Sequence, residues 1–555
     1  MNRQRPLTTD RDRPAKPVCD RLAAVAAGAL LATFAAATPP ATAASHRLSQ
    51  GLPFSDVGGM TPSPDGQFVV YTHDAEIDQA RELWSVRVAG GTPVRLSNPL
   101  PGGVQVDRFE ISPDSQRVVF QVAQETAGQR ELYSISIAGP EGAWIKLNGP
   151  LSAGGYVGHF RISPDSSRVT YFAVQEDGGV SDAWTVPIDG GTPVRLRPFI
   201  TLAGSRVLNS SCCLEISPDS ERVLFYANFS DLAFYEIWSA RVDGTGGIVR
   251  LTETTPAIGG PTDSRFSPDS SRVVYISVQA DGTRELYSVP SAGGSAVKLN
   301  GVLTPGGNIW YYEFSPDSTR VVYFGQQQTV GITELYSVPL AGGGATKLSD
   351  VLPFPGGVSD PTISPDGARV VYRANRDIAD VDELYSVPLA GGAVTKLNPS
   401  LPTGRDVTDL AIAPDSSRVV YLADQRLNGV QELFSVPLAG GASVRVSDDP
   451  VFGGDVADFE IAPGSDFVFY RGDILTDGVL ELFRGRIAGI SEADDRMSGP
   501  MASGGEVSQT WAVLPDGRQV VYRADEEVDE RDDLYVGDIC LLCDGFEAGD
   551  LGRWD

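Results

Sequence analysis

Histidine is nearly absent from this 555-residue chain, which has only His46, His73 and His159. With five cysteines and four methionines beside them, a histidine- or sulfur-rich metal centre has few ligands to draw on. Basic residues are also in deficit: 44 Lys and Arg face 72 Asp and Glu, a formal net charge of −28. A surface of that sign repels phosphate backbones, so no nucleic-acid partner is expected. Long apolar runs are missing as well. The one candidate, Leu22–Ala37, is too short to span a bilayer, so no transmembrane segment is expected in the mature chain. No Gly-x-Ser-x-Gly nucleophile elbow occurs, which removes the α/β-hydrolase route to catalysis.

What is present begins with an address. Arg3, Arg5, Arg11, Arg13, Lys16 and Arg21 precede the apolar run, and Ala41-Thr42-Ala43 follows it with small residues suited to cleavage. Residues 1–43 therefore read as a signal peptide, and the mature protein as exported, periplasmic or extracellular. Cys19 lies before the apolar run, so a lipoprotein anchor is not indicated. Four cysteines follow the leader. Export permits a disulfide between Cys540 and Cys543, while for the neighbours Cys212 and Cys213 a bridge and buried thiols are both open.

The dominant feature is a repeat. A turn recurs around Pro64, Pro113, Pro164, Pro218, Pro268, Pro316, Pro365, Pro414, Pro463 and Pro515, at spacings of 48 to 54 residues. Seven copies read Ser-Pro-Asp-Ser or Ser-Pro-Asp-Gly. Proline presets φ there, and the Asp side chain can hold nearby backbone N–H groups. Strand a ends at this turn and strand b follows, as in Arg418-Val419-Val420-Tyr421. After a polar loop comes strand c, as in Glu383-Leu384-Tyr385-Ser386-Val387. An Ala-Gly-Gly turn then leads to strand d, as in Thr346-Lys347-Leu348-Ser349. Alternation with β-branched and aromatic residues marks strands, and no helical period competes with it.

Strand c opens with an acid in all ten copies, from Glu82 to Asp533, and strand b opens with Arg in seven, from Arg117 to Arg418. Neighbouring antiparallel strands are expected to pair these charges. Two residues after each acid stands an aromatic, a ladder that reads as core between units.

A four-stranded unit of this length, repeated, is a propeller blade. The expected fold is all-β: a β-propeller of about ten four-stranded blades over residues 46–539, with a Cys-x-x-Cys tail at 540–555. Arg47-Leu48-Ser49 matches strand d without a unit before it, and Asp533-Leu534-Tyr535 is a strand c without a d after it. An N-terminal strand completing the last blade satisfies both ends and leaves no open edge. Two smaller propellers are the alternative arrangement.

The unit [Ile/Phe]-Ser-Pro-Asp-[Ser/Gly]-x-x-Val-Val-Tyr…Glu-Leu-Tyr-Ser-Val…Lys-Leu resembles the WD-like propeller repeat of the TolB family, over roughly residues 46–539. The resemblance implies an exported propeller used for protein contacts. It does not extend to the separate α/β domain that the family carries before its propeller. The repeat is also similar to the propeller of prolyl oligopeptidase-like enzymes, whose hydrolase domain has no counterpart here. Pectin-degrading lyases look similar in their repeats and use histidine-bound metal; His46, His73 and His159 do not recur at one repeat position. The ending Asp544-Gly545-Phe546-Glu547 through Trp554 looks like a short tail found on exported bacterial proteins.

Turns a–b and c–d are tight, whereas loops b–c and d–a are longer and leave the ring on one face. That face is expected to carry binding. On the inner strand, four residues before the turn, Asp360, Asp409 and Asp458 come from successive units and form a candidate acidic ligand site. Carboxylates are hard ligands, so Ca²⁺ is the one cation considered, and no other cofactor is implied. Two residues further on, Glu110, Arg161, Glu215, Arg265 and Glu313 alternate in sign and read as a structural charge ring. The expected function is a non-catalytic scaffold for an unknown protein or glycan partner; the alternative is a carbohydrate-active lyase or hydrolase working in the channel.

Overall fold

A computed structural model describes residues 44–49, 56–74, 80–175, 179–197, 205–208, 210, 213–230, 234–252, 260–353, 356–490, 494–528 and 531–538. The leader at 1–43, Cys212 and the tail with Cys540 and Cys543 lie outside the described residues. Among the described residues there are forty strands and no α-helix, and no helix is long and apolar enough to cross a membrane.

The strands form ten antiparallel a–b–c–d blades. Blade 8 is representative: a is Val407–Ile412, b is Arg418–Ala423, c is Glu432–Pro437 and d is Val444–Arg445. Strand d is short because a side chain takes over its ladder. The Leu433 amide donates to Ser447 Oγ at 3.1 Å or less (3.0 Å), and the Leu384 amide of blade 7 donates to Asn398 Oδ1 at 2.7 Å.

One ring accommodates all ten blades. Ala44–Arg47 runs antiparallel to Asp533–Asp538, with Ala44 opposite Asp538 and Arg47 opposite Tyr535. The first segment is therefore strand d of blade 10. Leu48 and Val57 share one buried cluster with Leu514, Val521, Leu534 and Val536, so blade 1 packs on blade 10. The core is thus ten inter-blade layers, and strand c of the last blade is covered by the first segment.

A belt of turns locks the ring. The second residue after each turn proline is left-handed, with φ of 58° to 62° at the serines and 66° to 70° at Gly66, Gly367 and Gly517. Glycine adopts that conformation freely, whereas serine needs compensation. Each such serine, from Ser115 to Ser465, accepts from the Asp amide of the preceding blade's turn at 2.9 to 3.1 Å.

The expected pairing of strand-b Arg with strand-c acid is corrected by the register. Antiparallel strands place Arg369, the first residue of b, opposite Pro388, the last of c, while Glu383 lies opposite Ala374 at the other end. Each of the seven arginines instead donates through Nε to a Ser or Thr of strand c at 2.6 to 3.1 Å, as Arg369 does to Ser386 at 2.7 Å. The acids meet a base on strand d in all ten blades; Glu383 to Lys396 is 2.5 Å, and the series ends with Asp533 and Arg47 at 3.6 Å. The aromatic ladder is core, as expected. Its rings also stack on the strand-b aromatic directly opposite, with centroids 5.3 to 5.8 Å apart in pairs such as Tyr372–Tyr385.

Candidate functional site

The inner strands are not regular. Their register slips in blades 7, 8 and 9 between Ser359 and Thr362, between Val407 and Asp409, and between Val456 and Asp458. A bulge bends the strand locally; in blade 7 it contains Asp360, whereas in blades 8 and 9 it falls just before Asp409 and Asp458, which stay in register. Asp360 itself takes φ 47°, a left-handed conformation that aspartate tolerates better than most residues.

The three aspartates lie on the inner strands of successive blades, with different partners. Arg373 donates to Asp360 Oδ2 through Nε at 3.0 Å, and reaches the Val407 carbonyl of blade 8 at 2.8 Å. Arg471 holds Asp458 Oδ2 at 2.6 Å, and the Trp511 indole of blade 10 donates to Asp458 Oδ1 at 2.8 Å. Asp409 lies opposite Leu422 and accepts from the Leu410 amide at 2.8 Å. Burial pushes the Asp409 carboxyl up; the Leu410 amide and Arg373 oppose this, while Asp360 and Asp458 add to it. Two of the three carboxylates thus carry a guanidinium. Among the described residues no group of three or more His, Cys, Asp or Glu is arranged to hold a metal ion.

The alternating charges of blades 2 to 6 tie blade to blade. Glu110 Oε1 receives Arg161 at 2.7 Å and Arg108 at 2.5 Å. Glu110, Glu215, Glu313 and Glu460 each accept an inner-strand amide of the next blade, from Ile162, Phe266, Ile363 and Val513, at 3.2 to 3.3 Å. Those amides lie along the free edge of strand a. Burial pushes Glu110, Glu215 and Glu313 up to about 7.

Sequence reading did not single out the loop tips. Loop b–c exposes an aliphatic side chain in five consecutive blades: Val330, Ile378, Leu427, Leu475 and Val528. The signal was available, since each stands four to six residues before its strand-c acid.

The architecture is that of an all-β, multi-blade propeller, and the strand pairing alone establishes it. No family model and no curated protein matches the chain. Solved structures with a similar fold include an oligogalacturonate lyase in complex with manganese, 15% identical, covering 69% of this chain and 98% of its own, with a TM-score of 0.35. A putative TolB from Agrobacterium tumefaciens is 22% identical, covering 45% of this chain and 81% of its own, at a TM-score of 0.28. Porphyromonas gingivalis dipeptidyl peptidase 4 is 12% identical, covering 74% and 64% at a TM-score of 0.44. The likeness is one of fold.

Proposed function

We propose that this protein is an exported, non-catalytic propeller scaffold that binds a protein or other ligand through the face carrying the b–c and d–a loops. One observation supports this most. Several ionisable groups lining the inner strands are engaged in inter-blade links such as Glu110–Arg161 and Arg373–Val407, which hold the ring together. The loop face carries exposed aliphatic tips. Export is supported by the leader pattern at 1–43. Capture of a partner from the native periplasm or culture medium, lost when b–c loop tips are changed to Ser, is the expected result. Capture unaffected by every loop-face variant would overturn the proposal.

A second reading, a carbohydrate-active enzyme, is favoured by Glu110, Glu215 and Glu313, whose carboxyls near 7 suit a general acid. A polysaccharide screen separates the two: turnover lost in Glu215→Gln would establish the enzyme and displace the scaffold.

A further inference from the structure

Exposed apolar side chains are ordinary when scattered, and informative when phased. Here they are phased. Besides the five b–c tips, the d–a loops of the same sector present Val302, Val351 and Phe452, at 90%, 87% and 102% of full exposure. Along the face the two loop classes alternate, so Val302, Val330, Val351 and Ile378 follow one another across blades 6 and 7. Leu427, Phe452 and Leu475 do the same across blades 8 and 9. The result is an arc of aliphatic and aromatic tips over blades 6 to 10.

Acids outnumber bases between those tips. Every arginine of the b–c and d–a loops in this sector is held within the protein, and these loops contain no lysine. Arg376 is on Asp350 at 2.9 Å, Arg405 on the Gln425 carbonyl at 2.9 Å, Arg426 on Glu432 at 2.7 Å and Arg531 on Asp533 at 2.8 Å. These links brace neighbouring loops, and three of the four set a guanidinium against a carboxylate. Asp380 and Asp477 are exposed beside Ile378 and Leu475, and Asp377, also exposed, is paired with Lys396 at 2.9 Å. Asp409, which has no arginine across the strand pair, lies on the inner strand of blade 8, the middle of the five. Its carboxyl sits toward the strand's loop-face end, since strand a starts from the d–a loop.

We infer that the loop face of blades 6 to 10 is a docking surface for a cationic amphipathic polypeptide segment. Its apolar side chains settle among the tips, and its Lys and Arg meet the acids between them. The complementarity is physical: apolar area supplies affinity, while the acid-rich rim selects against acidic partners and anionic lipid. This inference rests on the loop face being the binding face, and adds the sector and the chemistry of the partner.

The test is calorimetric titration of the mature protein with three synthetic peptides of one helical pattern: Lys/Leu, Glu/Leu and Lys/Ser. The Lys/Leu peptide is expected to bind, more weakly as salt rises, and the other two are not. The variant Leu427→Ser/Phe452→Ser/Leu475→Ser keeps the charge and removes three exposed tips. It should melt as the parent does and bind Lys/Leu about tenfold more weakly. Equal binding by the variant, or equal binding of Lys/Ser, would overturn the inference and leave only non-specific charge. Binding to phosphatidylglycerol vesicles without binding to the peptide would overturn it in favour of a membrane. A native partner captured through Tyr156 on blade 3, and unaffected by the triple variant, would refute this sector while the loop-face reading stood.

Discussion

Asp458 and Arg471 face each other across strands a and b of blade 9, and the guanidinium that holds the carboxylate also reaches the Val507 carbonyl of blade 10 at 3.1 Å. One side chain therefore fixes the acid next to a bulge and links two blades. Blade 7 repeats the arrangement with Asp360, Arg373 and Val407, whereas blade 8 has Leu422 at the arginine position. Arg471 is 4% exposed, so Arg471→Leu would strand a buried carbonyl and part of a carboxylate. It is expected to lower stability by about 2 kcal/mol, read by denaturant unfolding. A loss below a few tenths would mean that the link contributes nothing.

The same contacts bear on calcium. With guanidinium groups on Asp360 and Asp458, Asp409 is the one member of the trio without a facing arginine. A cation bound only to the folded state would raise the melting temperature with its concentration. The expected outcome is the same melting temperature in Ca²⁺ and in chelator. A calcium-dependent rise that Asp409→Asn abolishes would instead make the trio a cation site.

Ring closure depends on a few residues of the first strand. Ser49 Oγ donates to Asp533 Oδ1 at 2.8 Å and accepts the Leu534 amide at 3.0 Å, both buried. Ser49→Ala should cost about 1–2 kcal/mol, because two buried groups lose their partner. Deleting residues 44–49 should cost far more, and should speed hydrogen exchange at Leu534–Asp538. Unchanged exchange there would refute closure through this strand.

The repeat made the blades legible in the sequence, and the orphan d at Arg47-Leu48-Ser49 made the closure legible, because each reads from short-range pattern and counting. Pairing across strands was less accessible. Glu383 and Arg369 look like partners when residue types alone are compared, yet antiparallel register puts them at opposite ends of their strands. The base on strand d was present at Lys396 and its equivalents, within a two-residue strand too short to stand out. The placement of Asp360, Asp409 and Asp458 on successive inner strands followed from their shared repeat position. Their unequal compensation did not, because it depends on bulges and on the residue across the strand pair, Arg471 in one blade and Leu422 in another.

The buried glutamates give stability a pH dependence of definite sign. Burial lifts the Glu215 carboxyl from 4.5 to about 7; the Phe266 amide and Arg265 oppose the lift, and Asp263 adds to it. Between those two values the folded protein keeps a proton that the unfolded chain has released. Stability must therefore fall as pH rises through this window, level off above it, and be unaffected by this group below about 4. Glu110 and Glu313 act in the same direction. The variant Glu215→Gln keeps an oxygen for the Phe266 amide and removes the titration. It should match the parent at pH 4 and exceed it at pH 8 by on the order of 1–3 kcal/mol, read from denaturant unfolding at the two pH values. A variant less stable than the parent at pH 8 would mean that the Glu215 carboxylate is held by Arg265 more strongly than burial penalises it, and the sign of the dependence would reverse.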